Sequence, residues 1–418
     1  MKFFKILLSM LFIINLIQAN DNASQWRGKN RQGHFNETGL LKQWPENGPE
    51  MILEVSGIGD GWSSPVATND QIFVTGKFDS LDYLMAISYD GKFQWKQPMG
   101  KAWPKTFPDA RTTPVIDGNK VYTQSGEGEV SCFNATSGER LWFVEVDTLT
   151  QSRRDRWGVS ETPLLYKNLI ITSPVGEDAA LVALDKNSGE FVWKTDTIPG
   201  NRTYLSAVLY KHKNVEQILS MTSEKLFAVN PINGEIEWIF HYDEHCKGFE
   251  DFEWWGSIIT NSPIIKNNEI FITKGYDFPS VMLKVAEDGK SVTAKWTNWD
   301  LDNHHHGVVE YNGYIYGSNW IDNRRGDWVC LNWDTGELSY QHTWNVKGPI
   351  IEADNMFYIL DEKRGNVGLL KPNPEKFDLV SEFKFDGGKG MFWCHPSIFD
   401  KKLFIRHGEV LNVFDIKK

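Results

Sequence analysis

The sequence predicts an all-β chain: an eight-bladed β-propeller of four-stranded antiparallel blades, its ring closed by an N-terminal strand that joins the last blade. Three observations carry this. A Ser/Thr-Pro turn, or a degenerate copy of it, returns eight times at Pro65, Pro114, Pro163, Ala207, Pro263, Gly307, Pro349 and Pro396, at intervals of roughly 42 to 56 residues, the period of a propeller blade. A second pattern follows most anchors, with a small residue leading through a glycine to an aromatic four residues on: Ala86…Gly91…Trp95, Cys132…Gly138…Trp142, Ala183…Gly189…Trp193, Ala228…Gly234…Trp238 and Cys330…Gly336…Tyr340, with a stretched copy ending at Trp296. Third, the last unit is one strand short. After Pro396 only Ser397–Phe399, Lys402–His407 and Glu409–Phe414 read as strands, and the missing one is Met51–Val55.

Taken in order, the chain begins Met-Lys-Phe-Phe-Lys, continues into the apolar run Ile6–Ile17 and reaches Gln18-Ala19. A basic start, a short apolar core and a small residue describe a secretory signal over residues 1–19, cleaved after Ala19 or Ala23. The run is too short for a membrane span, and no cysteine near the cleavage region would accept a lipid, so the expected product is periplasmic or secreted. Residues 25–418 read as one propeller domain without a linker. Within each blade the Asp-Gly or Ser/Thr-Gly pair turns strand three into strand four, because a tight hairpin needs positive φ. The recurring tryptophans wedge between neighbouring sheets, which cannot bury both faces alone. Closure by both chain ends leaves no free sheet edge.

Composition narrows the partners. A formal net charge of −11 with no basic stripe excludes nucleic acid, whose binding depends on neutralising phosphates. The cluster Arg153-Arg154-Asp155-Arg156 is interrupted by an acid and reads as a solvated loop. Of four cysteines, Cys132 and Cys330 occupy the small-residue position filled elsewhere by Ala86, Ala183 and Ala228, in blades on opposite sides of the ring, so free thiols are expected there and at Cys246 and Cys394.

The blade pattern Ala-x-Asp…Ser-Gly-Glu…Trp of Ala183–Trp193 resembles the tryptophan-docking repeat of quinoprotein alcohol dehydrogenases and of the outer-membrane assembly factor BamB. The whole mature chain resembles a subfamily of exported PQQ-like propeller proteins on Trp26–Gly33 (Trp-Arg-Gly-x-Asn-Arg-x-Gly), Gly61–Pro65, Arg156-Trp157-Gly158, Asn303-His304-His305, Trp328–Leu331 and Arg406-His407-Gly408. The resemblance implies either a quinoprotein dehydrogenase carrying pyrroloquinoline quinone (PQQ) with calcium, or an envelope scaffold. The chain lacks the adjacent cysteines that such dehydrogenases set against their quinone, and it has no Cys-x-x-Cys-His for covalent haem.

Positions that break the internal symmetry are the candidate site. Immediately before the anchors stand Ser64, Thr113, Thr162, Ser206, Ser262, His306, Gly348 and His395; three before stand Trp62, Arg111, Ser160, Tyr204, Thr260, His304, Val346 and Trp393. The hydroxyls read as braces at strand starts. On an extended strand the two columns share a face, so Trp62, Arg111, Tyr204, His304, His306, Trp393 and His395 are expected to ring the central channel. Glu161, Asn261 and His305, two before the anchor, are expected at its mouth, with Arg406 joining from the adjacent strand. Such a set suits an anionic or hydroxyl-rich ligand. His306, His395, Glu161 and Tyr204 are the candidates for acid–base work, and Trp157 reads as blade packing. No metal is expected, because consecutive residues of a strand cannot all face one ion; His304, His306 and His395 are the set that shares a face. Three functions remain open: a binding or scaffold propeller for a small molecule, glycan or envelope protein; a PQQ-dependent alcohol or sugar dehydrogenase; and a His/Arg-based enzyme acting on acidic polysaccharide.

Overall fold

Each anchor leads within one or two residues into the innermost strand of a sheet, because the proline or glycine ends one blade's approach and a short apolar run follows it. The structure, a computed structural model, describes residues 25–154, 156–246 and 258–418; the expected signal sequence, with Ala19 and Ala23, lies outside them. Seven consecutive sheets cover residues 66–101, 115–145, 164–194, 208–241, 264–298, 309–342 and 350–384, each with four antiparallel strands in chain order. The eighth combines residues 397–415 with the strand Glu50–Ser56. That strand pairs antiparallel with Val410–Asp415, Met51 opposite Phe414 and Val55 opposite Leu411, so the ring closes as expected. One strand was not foreseen: His34–Phe35 adds in parallel to Ile350–Ala353 of blade seven. Among the described residues no helix is long and apolar enough to cross a membrane.

The repeated aromatic has a defined seat. Trp95 stands opposite Ala86, Trp142 opposite Cys132, Trp193 opposite Ala183 and Trp238 opposite Ala228, so the small residue makes room for the indole within its own blade. The ring then reaches the next blade. Trp95 Nε1 donates to Ala135 O at 2.9 Å, Trp142 Nε1 to Lys186 O at 3.2 Å and Trp296 Nε1 to Trp333 O at 3.0 Å. Beneath Trp95 lies the turn glycine of blade two: Gly138 has φ +72°, and a Cβ there would stand 2.6 Å from the indole. Turn conformation and blade docking therefore demand glycine at one position.

All four cysteines are free and buried. Cys330 faces Tyr340 as Cys132 faces Trp142, so both fill the small-residue seat.

Candidate functional site

The braces before the anchors join neighbouring blades. Ser64 N donates to Thr113 Oγ1 at 2.9 Å, Thr162 N to Ser206 Oγ at 2.9 Å and Ser206 N to Ser262 Oγ at 3.2 Å. The hydroxyl series ends where His306, Gly348 and His395 replace it, and a second device enters there. The segment Trp26–Gly33 crosses the inner strand starts of six blades. Arg31, 1% exposed, donates to Thr162 O and Ala207 O at 2.9 Å and to Pro163 O at 2.5 Å. Gln32 reaches Pro263 O at 3.3 Å. Arg27 donates to Val308 O at 2.5 Å, to Ile350 O at 3.3 Å and to His395 Nδ1 at 3.2 Å. Both arginines hold positive φ, +57° and +59°, which non-glycine residues keep only where the surroundings demand it. Burial lowers each guanidinium to about 9, with Glu161 opposing the shift at Arg31.

On this plug lies a cavity of about 610 Å³. Trp62, Arg111, Tyr204, His304, His305, Trp393 and His395 all line it, which brings together most of the residues picked out by the columns. Trp26, Phe107, Trp157 and Tyr276 complete an aromatic wall. Trp62 and Trp393 meet at 4.8 Å between ring centroids, Phe107 and Trp393 at 5.7 Å, and Trp157 and Tyr204 at 5.5 Å. Trp157 is therefore a cavity residue as well as a packing one. Arg111 lies 5.2 Å over the Trp62 ring, a cation–π distance. Its guanidinium also donates to Phe107 O, and burial lowers it to about 10.

Four expected members stand elsewhere or are committed. Glu161 is buried behind the wall, ion-paired with Arg202 at 3.2 Å and accepting from Ser173 N at 2.9 Å and Thr172 Oγ1 at 2.8 Å; it does not reach the channel mouth, because a buried carboxylate is held by its nearest cation and amide donors. Asn261 spans two blades, donating to Asn303 O at 2.7 Å and accepting from Gly307 N at 3.0 Å. Arg406 is fully buried and donates to Gly59 O at 2.9 Å and Ser63 Oγ at 2.6 Å; it braces blades eight and one. His306 is fully buried behind the cavity wall. As acid–base candidates, two further residues are occupied. Tyr204 Oη accepts from Arg156 N and Trp157 N, both at 3.2 Å. A guanidinium only donates, so His395 Nδ1 must accept from Arg27, and its Nε2–H donates to His305 O at 3.2 Å. Burial, with Arg27 beside it, holds His395 neutral.

A buried ionic group went unforeseen. Glu362, 2% exposed, lies 3.0 Å from Lys347 Nζ, accepts from Trp393 Nε1 at 2.9 Å, and has His306 Nε2 at 3.3 Å and His305 Nε2 at 3.7 Å from Oε2. Burial pushes its carboxyl up, but His306 and Lys347 outweigh that and hold it at about 2. Burial drives His304 and His305 well below the usual imidazole range and lowers His306 despite Glu362. Lys347 stands two before its anchor, in a column read only for Glu161, Asn261 and His305. Glu362 follows the second strand of blade seven and has no counterpart in any alignment of the anchors.

Calcium does not fit these residues. It takes six to eight oxygen ligands, whereas the one carboxylate among the described lining residues is already neutralised by Lys347. Nor are any two of the four cysteines adjacent in the chain.

A family model described as outer membrane protein assembly factor BamB matches residues 82–342, more than half of the chain. The BamB of Alkalilimnicola ehrlichii is 24% identical over 183 residues, 42% of this chain and 42% of that protein. Quinoprotein alcohol dehydrogenase PedH of Pseudomonas putida is 22% identical over 205 residues, 48% of this chain and 31% of that protein. The matches thus span less than half the length of either curated relative. Among solved structures, BamB from Moraxella catarrhalis superposes with a TM-score of 0.61 at 14% identity, covering 88% of this chain and 99% of that one. A europium-containing methanol dehydrogenase gives 0.63 at 10% identity, covering 93% and 90%. At such identities these likenesses speak for the fold alone.

Proposed function

We propose, from the premise that this chain belongs to the PQQ-like β-propeller family described as outer membrane protein assembly factor BamB, that it is an exported binding protein whose channel cavity takes a small cyclic anion. The observation that carries this reading is the wall itself: Trp26, Trp62, Phe107, Trp157, Tyr204 and Trp393 around Arg111 in one cavity of about 610 Å³. Flat apolar walls with few convergent polar groups are the usual make-up of a small-molecule site. Arg111 supplies the charge, and its stacking on Trp62 orients the guanidinium for a carboxylate.

Binding is favoured over turnover because three acid–base candidates, Glu161, His395 and Tyr204, are engaged by neighbouring groups and the fourth, His306, is buried behind the cavity wall. Glu161 is paired with Arg202, Glu362 with Lys347, and both His395 ring nitrogens have partners. A quinoprotein reading would need a calcium shell for which the described lining offers no free carboxylate. The relatives' names place them in an envelope assembly role and in alcohol oxidation, and the reading of residues 1–19 as a secretory signal supports export of this chain.

The test is titration of the purified protein, by tryptophan fluorescence and calorimetry, with glucuronate and hydroxybenzoate as probes. A dye-linked alcohol assay with added PQQ and calcium runs in parallel. Arg111→Ala and Trp62→Ala are expected to weaken binding by about tenfold each, as loss of a charged partner or a stacked ring does. Alcohol oxidation on adding PQQ would overturn the proposal in favour of the dehydrogenase, and saturable binding unaltered in both variants would move the site elsewhere.

A further inference from the structure

The expectation that His304, His305 and His306 cannot face one ion assumed an extended strand. The structure has a bend at residues 305–306, followed by Gly307 at φ +70°. That turn brings two consecutive imidazoles to one side, their ring centroids 4.1 Å apart. Both approach the same carboxylate oxygen. His306 Nε2 stands 3.3 Å and His305 Nε2 3.7 Å from Glu362 Oε2, and one ligand atom from each residue lies within 4.8 Å of the other two.

Neither contact has the geometry of a hydrogen bond, so His306 acts on Glu362 by proximity. His305 Nε2 and both ring nitrogens of His306 are buried without a hydrogen-bond partner. One orphaned buried nitrogen costs about 1–3 kcal/mol, and three of them within one cluster call for something to satisfy them. A tetrahedral ion with bonds of about 2.0–2.1 Å holds its ligand atoms roughly 3.3–3.4 Å apart. Two edges of the triangle already approach that length.

We infer that His305, His306 and Glu362 form a site for one divalent late first-row transition ion of the zinc class, with an open coordination position toward the cavity. Two imidazoles and a carboxylate select such an ion over calcium or magnesium. An outer layer is present too: Trp393 Nε1 donates to Glu362 Oε2 at 2.9 Å, and Lys347 Nζ lies 3.0 Å from Oε1 while donating to Asp322 O at 2.7 Å. His305 and Glu362 both border the cavity, so the ion would present its free position there. Lys347 opposes a second cation, so it moderates affinity while it orients the carboxylate. His395 is excluded as a ligand, because both its nitrogens are engaged.

The site is independent of what else the cavity binds, and its test uses the metal alone. The full chain, stripped with dipicolinate, is titrated with Co²⁺ by visible absorption and with Zn²⁺ by calorimetry. One equivalent is expected, with the intense d–d bands of a low-coordinate cobalt site. His305→Ala and Glu362→Gln should lose at least about 100-fold in affinity, at the upper end for a lost ligand or its support. His342→Ala, exposed on the strand Leu338–His342 and outside the cavity lining, should bind as wild type. Lys347→Met should bind about tenfold more tightly, as removal of a like charge predicts. His305 retains 18% side-chain exposure, so its variant reads the site even if Glu362→Gln fails to fold. Absence of stoichiometric uptake, or unchanged uptake in His305→Ala, would overturn the assignment and leave water as the partner of these nitrogens.

Discussion

Asp302 shows how much one buried group can tilt the stability of this ring. Its Oδ1 accepts from Trp320 N at 3.0 Å and its Oδ2 from Asp277 N at 2.9 Å. Burial nevertheless outweighs these amides and pushes the carboxyl up to about 8 from 3.8. A raised folded-state value means that the native chain holds its proton longer than the unfolded chain does. The group's stabilising share is therefore complete at acid pH and declines as pH rises from about 4 to about 8. A side-chain amide cannot ionise and so carries no such pH-dependent penalty, although its nitrogen cannot accept one of the two backbone N–H bonds, a cost that does not change with pH. The stability of Asp302→Asn relative to wild type should therefore rise with pH across that window, by a few kcal/mol at most given about 1.4 kcal/mol per pH unit. Urea melts at pH 4.5 and 8.5 would check it: a difference between the two proteins that does not change with pH shows that Asp302 is ionised in the native state. At this scale sequence reading succeeds where chemistry breaks an internal repeat. Trp62, Arg111, Tyr204, His304 and Trp393 stand three before their anchors, and all line the cavity. It fails where backbone direction decides, as at Glu161, which turns to Arg202, and at Arg406, which turns to Ser63 and Gly59.

Among elements, the blade junction sets two demands on one glycine, and the two can be separated. Gly138 combines φ +72° with a Cβ position 2.6 Å from the Trp95 ring, whereas Gly313 has φ +86° and nothing within 4 Å of its Cβ position. Alanine at 313 should cost only the left-handed strain, about 1–2 kcal/mol. Alanine at 138 should add displacement of the indole and loss of its bond to Ala135 O, about 3–5 kcal/mol in all. Guanidinium melts of both variants give the comparison, and equal losses would mean that the Trp95 seat adapts freely. The turn was legible because Gly-x-x-x-aromatic repeats; the seat was not, since it joins glycine and tryptophan of different blades. The same limit hid Glu362 and Tyr276, which lie in irregular connections with no counterpart elsewhere in the chain.

For the whole molecule, closure is made twice, and only one of the two was visible in advance. The short last blade pointed to the strand Glu50–Ser56, because a sheet lacking its outer strand leaves an edge. The plug Trp26–Gly33 occurs once, and its partners are backbone carbonyls, which no side-chain pattern records. Arg31 alone ties Thr162, Pro163 and Ala207 together, so it joins blades three and four at their inner ends. Replacing it with methionine keeps the volume but leaves three carbonyls without that donor, at about 1–3 kcal/mol for each one that finds no water. The loss should be local. In Arg31→Met, hydrogen exchange is expected to quicken in Leu164–Tyr166 and Val208–His212, while Val410–Asp415 in the closing blade keeps its protection. Val55→Asp gives the opposite pattern, since Val55 is 4% exposed at the strand that closes blade eight and a buried unpaired carboxylate would open that pairing. If Arg31→Met leaves the inner strands as protected as in wild type, the plug fills the channel without bracing it, and the single closure at blade eight carries the ring.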